Sequence, residues 1–388
     1  MNRYLNTLHP FFDNLLFEGD QLKEAERRYS LSRHATVDRF KLLMVTGSHN
    51  LSYISVQPII DGKVFNLSLE KFSDDFEKQV IPLLSPFSKY CEICLEALKG
   101  DSHHKRCKAL LWKTQSPIKI EAYKNEPVNI FRTIVMGQSI SGAQRKSLFS
   151  LRKNILEKGQ PSTHILKPDG DFPEMPANEH LTMIIANKLG FNTPAVGLYK
   201  VEGIGLIYVV SSFTKGKSCL ITEDFAQLSQ KLSDDKDKGS LEDVAGIIVK
   251  YTSSPLIESA DFFRRILFCF LTGNGDMHLK NWSLSTNDSE LVKLSPVYDL
   301  LNVRASFPQE QVQSILSLDG KQNDINRKSF LSFANKLGLQ PVFIEKTLNE
   351  CEGWLQLIEK YCERSVLTES RKKSYLSIVN ERYSQIKN

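Results

Sequence analysis

The sequence predicts an α+β protein with two lobes, in which a strand-rich N-terminal lobe is followed by an all-helical C-terminal lobe. Short apolar segments bounded by glycine or proline, such as His164–Lys167 and Leu206–Val210, fill the middle of the chain and are typical of strands. Beyond Phe213, apolar residues recur at every third or fourth position instead, which is the helical period. With 388 residues, the chain is long enough for two units that share a cleft.

Four segments are predicted along the chain. Residues 1–87 form an N-terminal subdomain that ends near the break at Pro86. Residues 88–127 form a cysteine- and histidine-containing insert with a linker. Residues 128–215 form the strand-rich lobe, and residues 216–388 form the helical lobe.

The elements within the two lobes follow from apolar spacing. Ser147–Leu151 is a predicted strand, and Val196–Lys200 is predicted to pair with Leu206–Val210 in a hairpin. A helix is predicted over Asn178–Leu189, because its apolar residues share one face and Gly190 can end it. The helical lobe is predicted to contain helices at Ser240–Tyr251, Phe262–Leu271, Phe330–Leu337 and Val342–Tyr361.

Composition indicates an ordinary soluble globular protein, with 41% hydrophobic and 24% charged residues. The net charge of +5 is too small to indicate nucleic-acid binding. No apolar signal region follows Met1, and the longest apolar runs are too short for a membrane span. An odd number of cysteines, seven, argues against a disulfide framework. We therefore expect a cytoplasmic protein without a membrane partner, although delivery into a host cell by a route without an N-terminal signal stays open.

The segment Asn274–Asn281, followed by Val297–Asp299, carries the side chains that phosphoryl transfer requires. Four residues separate Asp276 from Asn281, and Asp299 lies about two dozen positions after Asp276. The first carboxylate can orient an attacking hydroxyl and accept its proton, whereas the amide oxygen and the later carboxylate can hold Mg²⁺. Such spacing also arises by chance, and an Asp after a Tyr can simply cap a helix, so the assignment needs support from other segments.

Two other segments fit a nucleotide site. Lys167 ends an apolar strand, where a phosphate-binding lysine is expected, and Glu179 on the next helix could hold its ammonium group. A strand-end lysine and a glutamate favoured by the helix dipole are the alternative. Gly137–Gln144 could turn backbone amides towards phosphates, or could be a plain flexible turn. A Walker loop is disfavoured, because Lys146 lies three residues too late.

The insert contains Cys91-x2-Cys94, followed by His103, His104 and Cys107. Three thiolates and one imidazole, from Cys91, Cys94, His104 and Cys107, can close a tetrahedral zinc site. The two halves are closer together than in ordinary zinc fingers, and reduced cysteines without a metal are the alternative. If zinc binds, its role should be structural, because no position is left for water.

Taken together, these motifs resemble the HipA-like serine/threonine kinases, which are toxins of bacterial toxin–antitoxin systems. Phe11–Gly19 is similar to the family's N-terminal subdomain, apart from one replaced proline. Ser139–Lys146 resembles the Gly-rich loop, in the Ser-Ile-Ser form of the HipT branch. Thr163–Pro168 resembles the strand of the nucleotide lysine, whereas Asn274–Asn281 and Pro296–Asp299 resemble the catalytic and metal-binding motifs. The resemblance implies a HipA/protein-kinase-like fold.

The resemblance also implies a role for each matching residue. Asp276 would be the catalytic base, and Asn281 and Asp299 would hold Mg²⁺. Lys167 would contact the phosphates of ATP, supported by the ion pair with Glu179. The implied nucleotide neighbours are Gly142, Ser211, Phe213, His278 and Tyr298, and the implied autophosphorylation sites are Ser139 and Ser141. Residues 210–215 align with the family's hinge but depart from its usual Val-Glu-Arg-Phe-Asp-Arg sequence, so side-chain contacts to adenine are not carried over there.

The family further implies partners and regulation. The expected cofactors are ATP and Mg²⁺, with structural Zn²⁺ as an addition of this chain. The expected substrate is an aminoacyl-tRNA synthetase, and the expected partner is a helix-turn-helix antitoxin, through which alone the protein would reach DNA. Phosphate on Ser139 or Ser141 should exclude ATP, because like charges would meet in the loop. The alternative is a catalytically silent scaffold that binds an antitoxin or nucleic acid.

Overall fold

The computed structural model describes residues 59–60, 63–64, 78–84, 88–98, 104–123, 146–158, 162–169, 173–202, 204–213, 221–286 and 291–387, and the statements below concern these ranges. Most of the predicted N-terminal subdomain lies outside them. So does the predicted Gly-rich loop, together with Ser139, Ser141 and Gly142.

A seven-stranded sheet forms the described part of the N-terminal lobe, beside a separate pair of short strands, β1 (Ile59–Ile60) and β2 (Lys63–Val64). The seven strands are β3 (Lys78–Pro82), β4 (Lys119–Tyr123), β5 (Ser147–Arg152), β6 (Ile155–Lys158), β7 (His164–Pro168), β8 (Val196–Val201) and β9 (Gly205–Ser211). Their order is β3-β4-β6-β5-β7-β9-β8, and only the β4–β6 pairing is parallel. The sheet thus includes strands from three of the four predicted segments, and β8–β9 is the predicted hairpin.

The two faces of the sheet pack against different partners. On one face, Ile207 and Val209 contact α1 (Lys105–Trp112) and the cysteine segment in a small core. On the other face, Tyr208 and Val210 join a larger core that contains the helices of the C-terminal lobe. Alternate residues of one strand point to opposite sides, so β9 contributes to both cores.

Helix α2 (Met175–Lys188) lies between the sheet and the C-terminal lobe. Pro176 occupies its first turn, where a missing N–H costs nothing, and Gly190 follows its end with a left-handed φ of +84°. Almost every side chain from Met175 to Ala186 is buried, which is typical of a helix that is enclosed on all sides. The predicted helix is confirmed and begins three residues earlier than expected.

The C-terminal lobe is mainly helical, and the four predicted helices are confirmed with somewhat different bounds. Its helices are α3 (Phe225–Leu228), α4 (Leu241–Tyr251), α5 (Pro255–Leu271), α6 (Val303–Ser306), α7 (Arg327–Lys336), α8 (Pro341–Arg364) and α9 (Glu369–Ile386). No described helix is both long and apolar enough to cross a lipid bilayer.

The C-terminal lobe is not all-helical as predicted, because it also contains a three-stranded antiparallel sheet. Its strands are β10 (Ile221–Asp224), β11 (Ser283–Thr286) and β12 (Lys293–Leu294). These strands are short and partly polar, and Ile221 pairs with Thr286 across more than sixty residues. No local pattern of apolar residues marks such strands, because the pairing depends on the tertiary fold.

Candidate active site

A buried cluster of three charged side chains lies where the two lobes meet. Lys167 at the end of β7 forms an ion pair with Glu179 of α2, with 2.6 Å between Nζ and Oε1. The same ammonium group donates a short hydrogen bond to Asp299, which follows β12. The Lys167 and Glu179 side chains are 6% and 1% exposed, whereas that of Asp299 is 26% exposed. Asp299 therefore presents part of its carboxylate to the solvent side of the cluster.

The side chain of Asn178 helps to position this cluster. Asn178, which precedes Glu179, donates from Nδ2 to the carbonyl of Asn302 at 2.8 Å and accepts from its N–H at 2.9 Å. This pair of bonds joins α2 to the loop that carries Asp299. Asp299 itself has a φ of 59°, in the left-handed region that only a few residue types tolerate.

The electrostatics of the cluster follow from burial and close pairing. Burial opposes the ionised form of Asp299, but the Lys167 ammonium outweighs this and holds the pKa of Asp299 well below its usual range. Burial likewise opposes charge on Lys167, and Asp299 and Glu179 outweigh it, so the pKa of Lys167 is raised. For Glu179 burial dominates and raises the pKa to about 7, against the attraction of Lys167. At neutral pH, Lys167 and Asp299 are therefore charged.

Asp276 and Asn281 lie on a tight loop after α5. The Nδ2 group of Asn281 donates to the backbone carbonyl of Asp276 at 3.0 Å, so its Oδ1 remains an acceptor for another ligand. A single 3-10 turn, Leu279–Asn281, follows His278. A Cβ on Gly275 would lie 2.4 Å from the carbonyl oxygen of Val312, so only glycine fits this close approach of two backbones.

Asp276 is exposed, and its surroundings change its acidity. Desolvation of the carboxylate by neighbouring atoms raises the pKa of Asp276 to about 6; the Lys236 ammonium opposes this, and the negative charge of Asp299 adds to it. The arrangement suits a group that takes up a proton near neutral pH.

Four of the predicted nucleotide neighbours, Ser211, Phe213, His278 and Tyr298, lie within the described residues. The Phe213 and Tyr298 rings lie 5.9 Å apart between centroids, and the Tyr298 hydroxyl donates to the Lys280 carbonyl at 3.0 Å. His278 is buried, and a proton on its ring would lower the pKa of Asp299. The N–H of Ser211 donates to the Ala195 carbonyl at 2.8 Å, so a contact of Ser211 with adenine would use its carbonyl oxygen.

The donor set around the cleft fits Mg²⁺ and a phosphate chain. Asn281 and Asp299 offer an amide oxygen and a carboxylate, which are the hard oxygen ligands that Mg²⁺ prefers. Lys167 offers a charged ammonium group for phosphate oxygens. These residues are therefore the ones that would hold the two groups.

Sequence reasoning missed several residues of this site. Asn178 was predicted only as part of a helix, although it joins α2 to the Asp299 loop. Lys236 and Asp237 lie in a segment that reads as a solvated loop, yet the Lys236 carbonyl accepts from the N–H of Leu279 at 3.0 Å. Ligand atoms of Asp237, Asp276 and His278 lie within 4.8 Å of one another. No local signal marks these contacts, because each joins segments that are distant in the chain.

The four predicted zinc ligands also lie together. The ligand atoms of Cys91, Cys94, His104 and Cys107 are all within 4.8 Å of one another. The Nδ1 atom of His104 lies 3.3 Å from the sulfur of Cys94 and 3.8 Å from that of Cys107. The cluster packs beside the small core of the sheet, which contains Cys91 and Cys107.

Known proteins resemble this chain both in sequence and in fold. Residues 138–356, more than half of the chain, match the model of a family described as HipA-like C-terminal domain. A protein of Haemophilus influenzae named "Putative kinase" is 29% identical over 200 residues, 47% of this chain and 57% of the relative. "Putative kinase Y4dM" of Sinorhizobium fredii is 30% identical over 235 residues, 55% of this chain and 56% of the relative. The chain thus spans about half the length of these curated relatives.

Among solved structures, the HipA protein of Shewanella oneidensis MR-1 has a similar fold. That structure is a complex of HipA with HipB and operator DNA. The superposition has a TM-score of 0.65 at 19% sequence identity and covers 98% of this chain and 84% of the other. It confirms the two-lobed α+β fold that the sequence predicts.

Proposed function

The chain belongs to the HipA-like C-terminal domain family, and from this premise we propose that it is an ATP- and Mg²⁺-dependent protein serine/threonine kinase. The observation that carries the proposal is the buried cluster of Lys167, Glu179 and Asp299. Burying three charges seldom stabilises a fold, because desolvation offsets the attraction between them. Such groups accumulate where chemistry requires them.

Asp276 is the proposed general base. Its carboxylate is exposed, so the hydroxyl of a substrate protein can reach it. With a pKa of about 6 it is mostly ionised at neutral pH, yet it binds a proton more readily than an ordinary aspartate. Both properties suit a residue that accepts the proton of a serine or threonine as the oxygen attacks.

Lys167, Asn281 and Asp299 would position the nucleotide. The ammonium group of Lys167 would exchange part of its contact with Asp299 for phosphate oxygens, while Glu179 continues to orient it. The Asn281 Oδ1 and the exposed part of Asp299 would hold the metal. When bound, Mg²⁺ would neutralise charge on the transferring phosphate. Phe213 and Tyr298 would provide an apolar wall for the adenine ring of the nucleotide.

The biological role follows from the family alone. We propose a toxin of a toxin–antitoxin system that phosphorylates an aminoacyl-tRNA synthetase and is neutralised by a helix-turn-helix antitoxin. The Shewanella structure supports the antitoxin, since its HipA is bound to HipB and DNA. Ser139 and Ser141, which lie outside the described residues, are the proposed autophosphorylation sites, and Gly142 is the proposed phosphate contact in the same loop.

The test is incubation of the purified chain with labelled ATP and Mg²⁺, followed by mass spectrometry at Ser139 and Ser141. We expect incorporation that requires Mg²⁺ and is lost in Asp276→Asn. Asp319→Asn is the matched control, because it makes the same chemical change at a residue that pairs with Lys336 outside the cluster. A chain that neither incorporates phosphate nor binds ATP, but captures an antitoxin, would instead be the silent scaffold.

A further inference from the structure

We propose that Cys91, Cys94, His104 and Cys107 bind one structural Zn²⁺, and that this ion fixes the joint between the β-sheet and the helical lobe. The cluster is separate from Lys167 and Asp276, and its proposed role does not require that the chain is a kinase. Two independent sets of contacts lead to the proposal, one among the four ligands and one between their segment and its neighbours.

The spacing of the four ligands fits tetrahedral zinc. With Zn–S near 2.3 Å and Zn–N near 2.0 Å, neighbouring ligand atoms should be roughly 3.5–3.8 Å apart. The Nδ1 atom of His104 lies 3.3 Å from the Cys94 sulfur and 3.8 Å from the Cys107 sulfur. All four ligand atoms lie within 4.8 Å of one another, so a small contraction would complete the site.

His104 is oriented as a metal ligand. Its Nε2 atom lies 3.1 Å from the carbonyl oxygen of Ala97, which can only accept a hydrogen bond. The proton therefore belongs on Nε2, and the lone pair of Nδ1 points towards the sulfur atoms of Cys94 and Cys107. A backbone carbonyl that holds the second ring nitrogen is the usual support of a zinc-bound histidine.

The backbone around the first two cysteines forms a tight turn. The N–H groups of Cys94 and Leu95 both donate to the carbonyl of Cys91, at 3.2 and 2.8 Å. Leu95 has a φ of 54°, which is unfavourable for a leucine. Such a conformation persists only where other contacts determine it, and a metal bound by both cysteines would supply them.

This turn covers the edge of the sheet. Strand β8 is an edge strand, and its Leu198 N–H donates to the Glu92 carbonyl at 2.9 Å. On either side of the edge, Ile93 packs into the small core and Leu95 into the large one. The segment therefore covers part of this edge, beside Leu84, whose backbone pairs with that of Lys200.

The same turn also binds the helices. Glu96 forms an ion pair with Lys188 of α2 at 2.9 Å and a short one with Arg364 of α8, and it accepts a hydrogen bond from the Tyr361 hydroxyl. The Arg364 guanidinium also donates to the Leu95 carbonyl at 3.2 Å. Zinc would thus hold in place the loop that links the sheet to α2 and α8.

The first test measures the metal content of the full chain, purified under reducing conditions. We expect one zinc ion per chain, and Co²⁺ in its place should show the charge-transfer and d–d bands of tetrahedral thiolate coordination. Cys94→Ser and Cys107→Ser should lose most of the zinc. Cys351→Ser is the matched control, since Cys351 is a buried free cysteine of α8, and it should keep its zinc.

A chain that holds no zinc and shows no thiolate bands with Co²⁺ would overturn the site, and so would a disulfide between Cys91 and Cys94. The cobalt spectrum uses the unsubstituted chain, so it decides even if the cysteine variants do not fold. The joint is tested by removing zinc with TPEN, which should lower Tm and accelerate hydrogen exchange over residues 175–188. Unchanged Tm and unchanged exchange after metal loss would overturn the joint.

Discussion

The charged cluster around Lys167 and the cysteine cluster around His104 are built in opposite ways. Lys167 and Asp299 are 132 positions apart in the chain, and α2 supplies the third member of that cluster. The four cysteine and histidine ligands come from a single short segment, residues 91–107. The first cluster can form only when both lobes have folded, whereas the second needs little more than its own turn and helix α1.

The two clusters have different roles in the molecule. The charged cluster is expensive to bury and contributes little to stability as a whole, but it orients groups that could contact a nucleotide. The four ligands of the cysteine cluster would leave no coordination position open for another molecule. The residues beside the cluster instead link secondary-structure elements to one another. We therefore expect damage to the charged cluster to abolish chemistry, and also to weaken the fold where it leaves a buried charge unpaired, whereas damage to the cysteine cluster should weaken the fold alone.

Replacing Lys167 with methionine should have the largest effect, because it affects both chemistry and folding. The change leaves Glu179 and Asp299 without their cation, which costs about 3–5 kcal/mol in the free energy of unfolding. Phosphoryl transfer should be lost as well. Urea unfolding measures the first effect, and labelled ATP the second.

Lys336→Met sharpens this prediction. Lys336 also contacts two carboxylates, Glu242 and Asp319, but its side chain is 49% exposed. Its loss should leave the free energy of unfolding almost unchanged, because solvent screens exposed pairs. Equal losses in the two variants would show that burial does not set the strength of the Lys167 cluster.

Asp276→Asn should reduce kcat about 10²–10⁴-fold while the fold is kept, since the variant lacks the proposed general base. The folded-state pKa of Asp276 is about 6, above its ordinary value of 3.8, so ionisation of Asp276 at higher pH disfavours the folded state. The variant should therefore have a higher Tm than the original chain at pH 7.5, and the difference should vanish near pH 4. A lower Tm at pH 7.5 would contradict this.

The pH dependence of the reaction provides a smaller effect. We expect kcat/KM to fall as the pH drops through about 6, because Asp276 then becomes protonated and cannot act as a base. Zinc removal should leave this midpoint unchanged, since the cysteine cluster is not among the main charges that shift the pKa of Asp276. A midpoint that follows the zinc content would contradict the separation of the two clusters.

Glu96→Gln should have the smallest effect. The Glu96 side chain is 37% exposed, so its pairs with Lys188 and Arg364 are partly screened, and we expect a loss of about 1 kcal/mol. The zinc content should not change. Glu369→Gln, an 82% exposed residue that pairs with Lys372, is the control and should leave stability unaltered.

The sequence was sufficient for the fold class, because periodicity and spacing are local, whereas the roles of the site residues stay predictions. Strand β7 and helix α2 were predicted close to their bounds, and Lys167 and Glu179 were expected to meet. The direct contact between Lys167 and Asp299 was not predicted, because it depends on how the two lobes dock. The pairing of Asn178 with Asn302 was missed for the same reason.

Glu96 also limits how the two lobes can move. Lys188, its partner on α2, lies nine residues beyond Glu179, which is about 14 Å along the helix axis. Because Glu96 holds both Lys188 and Arg364, it fastens the end of α2 to α8. Any motion that separates these two helices must break at least one of these ion pairs, so this end of α2 should move together with α8.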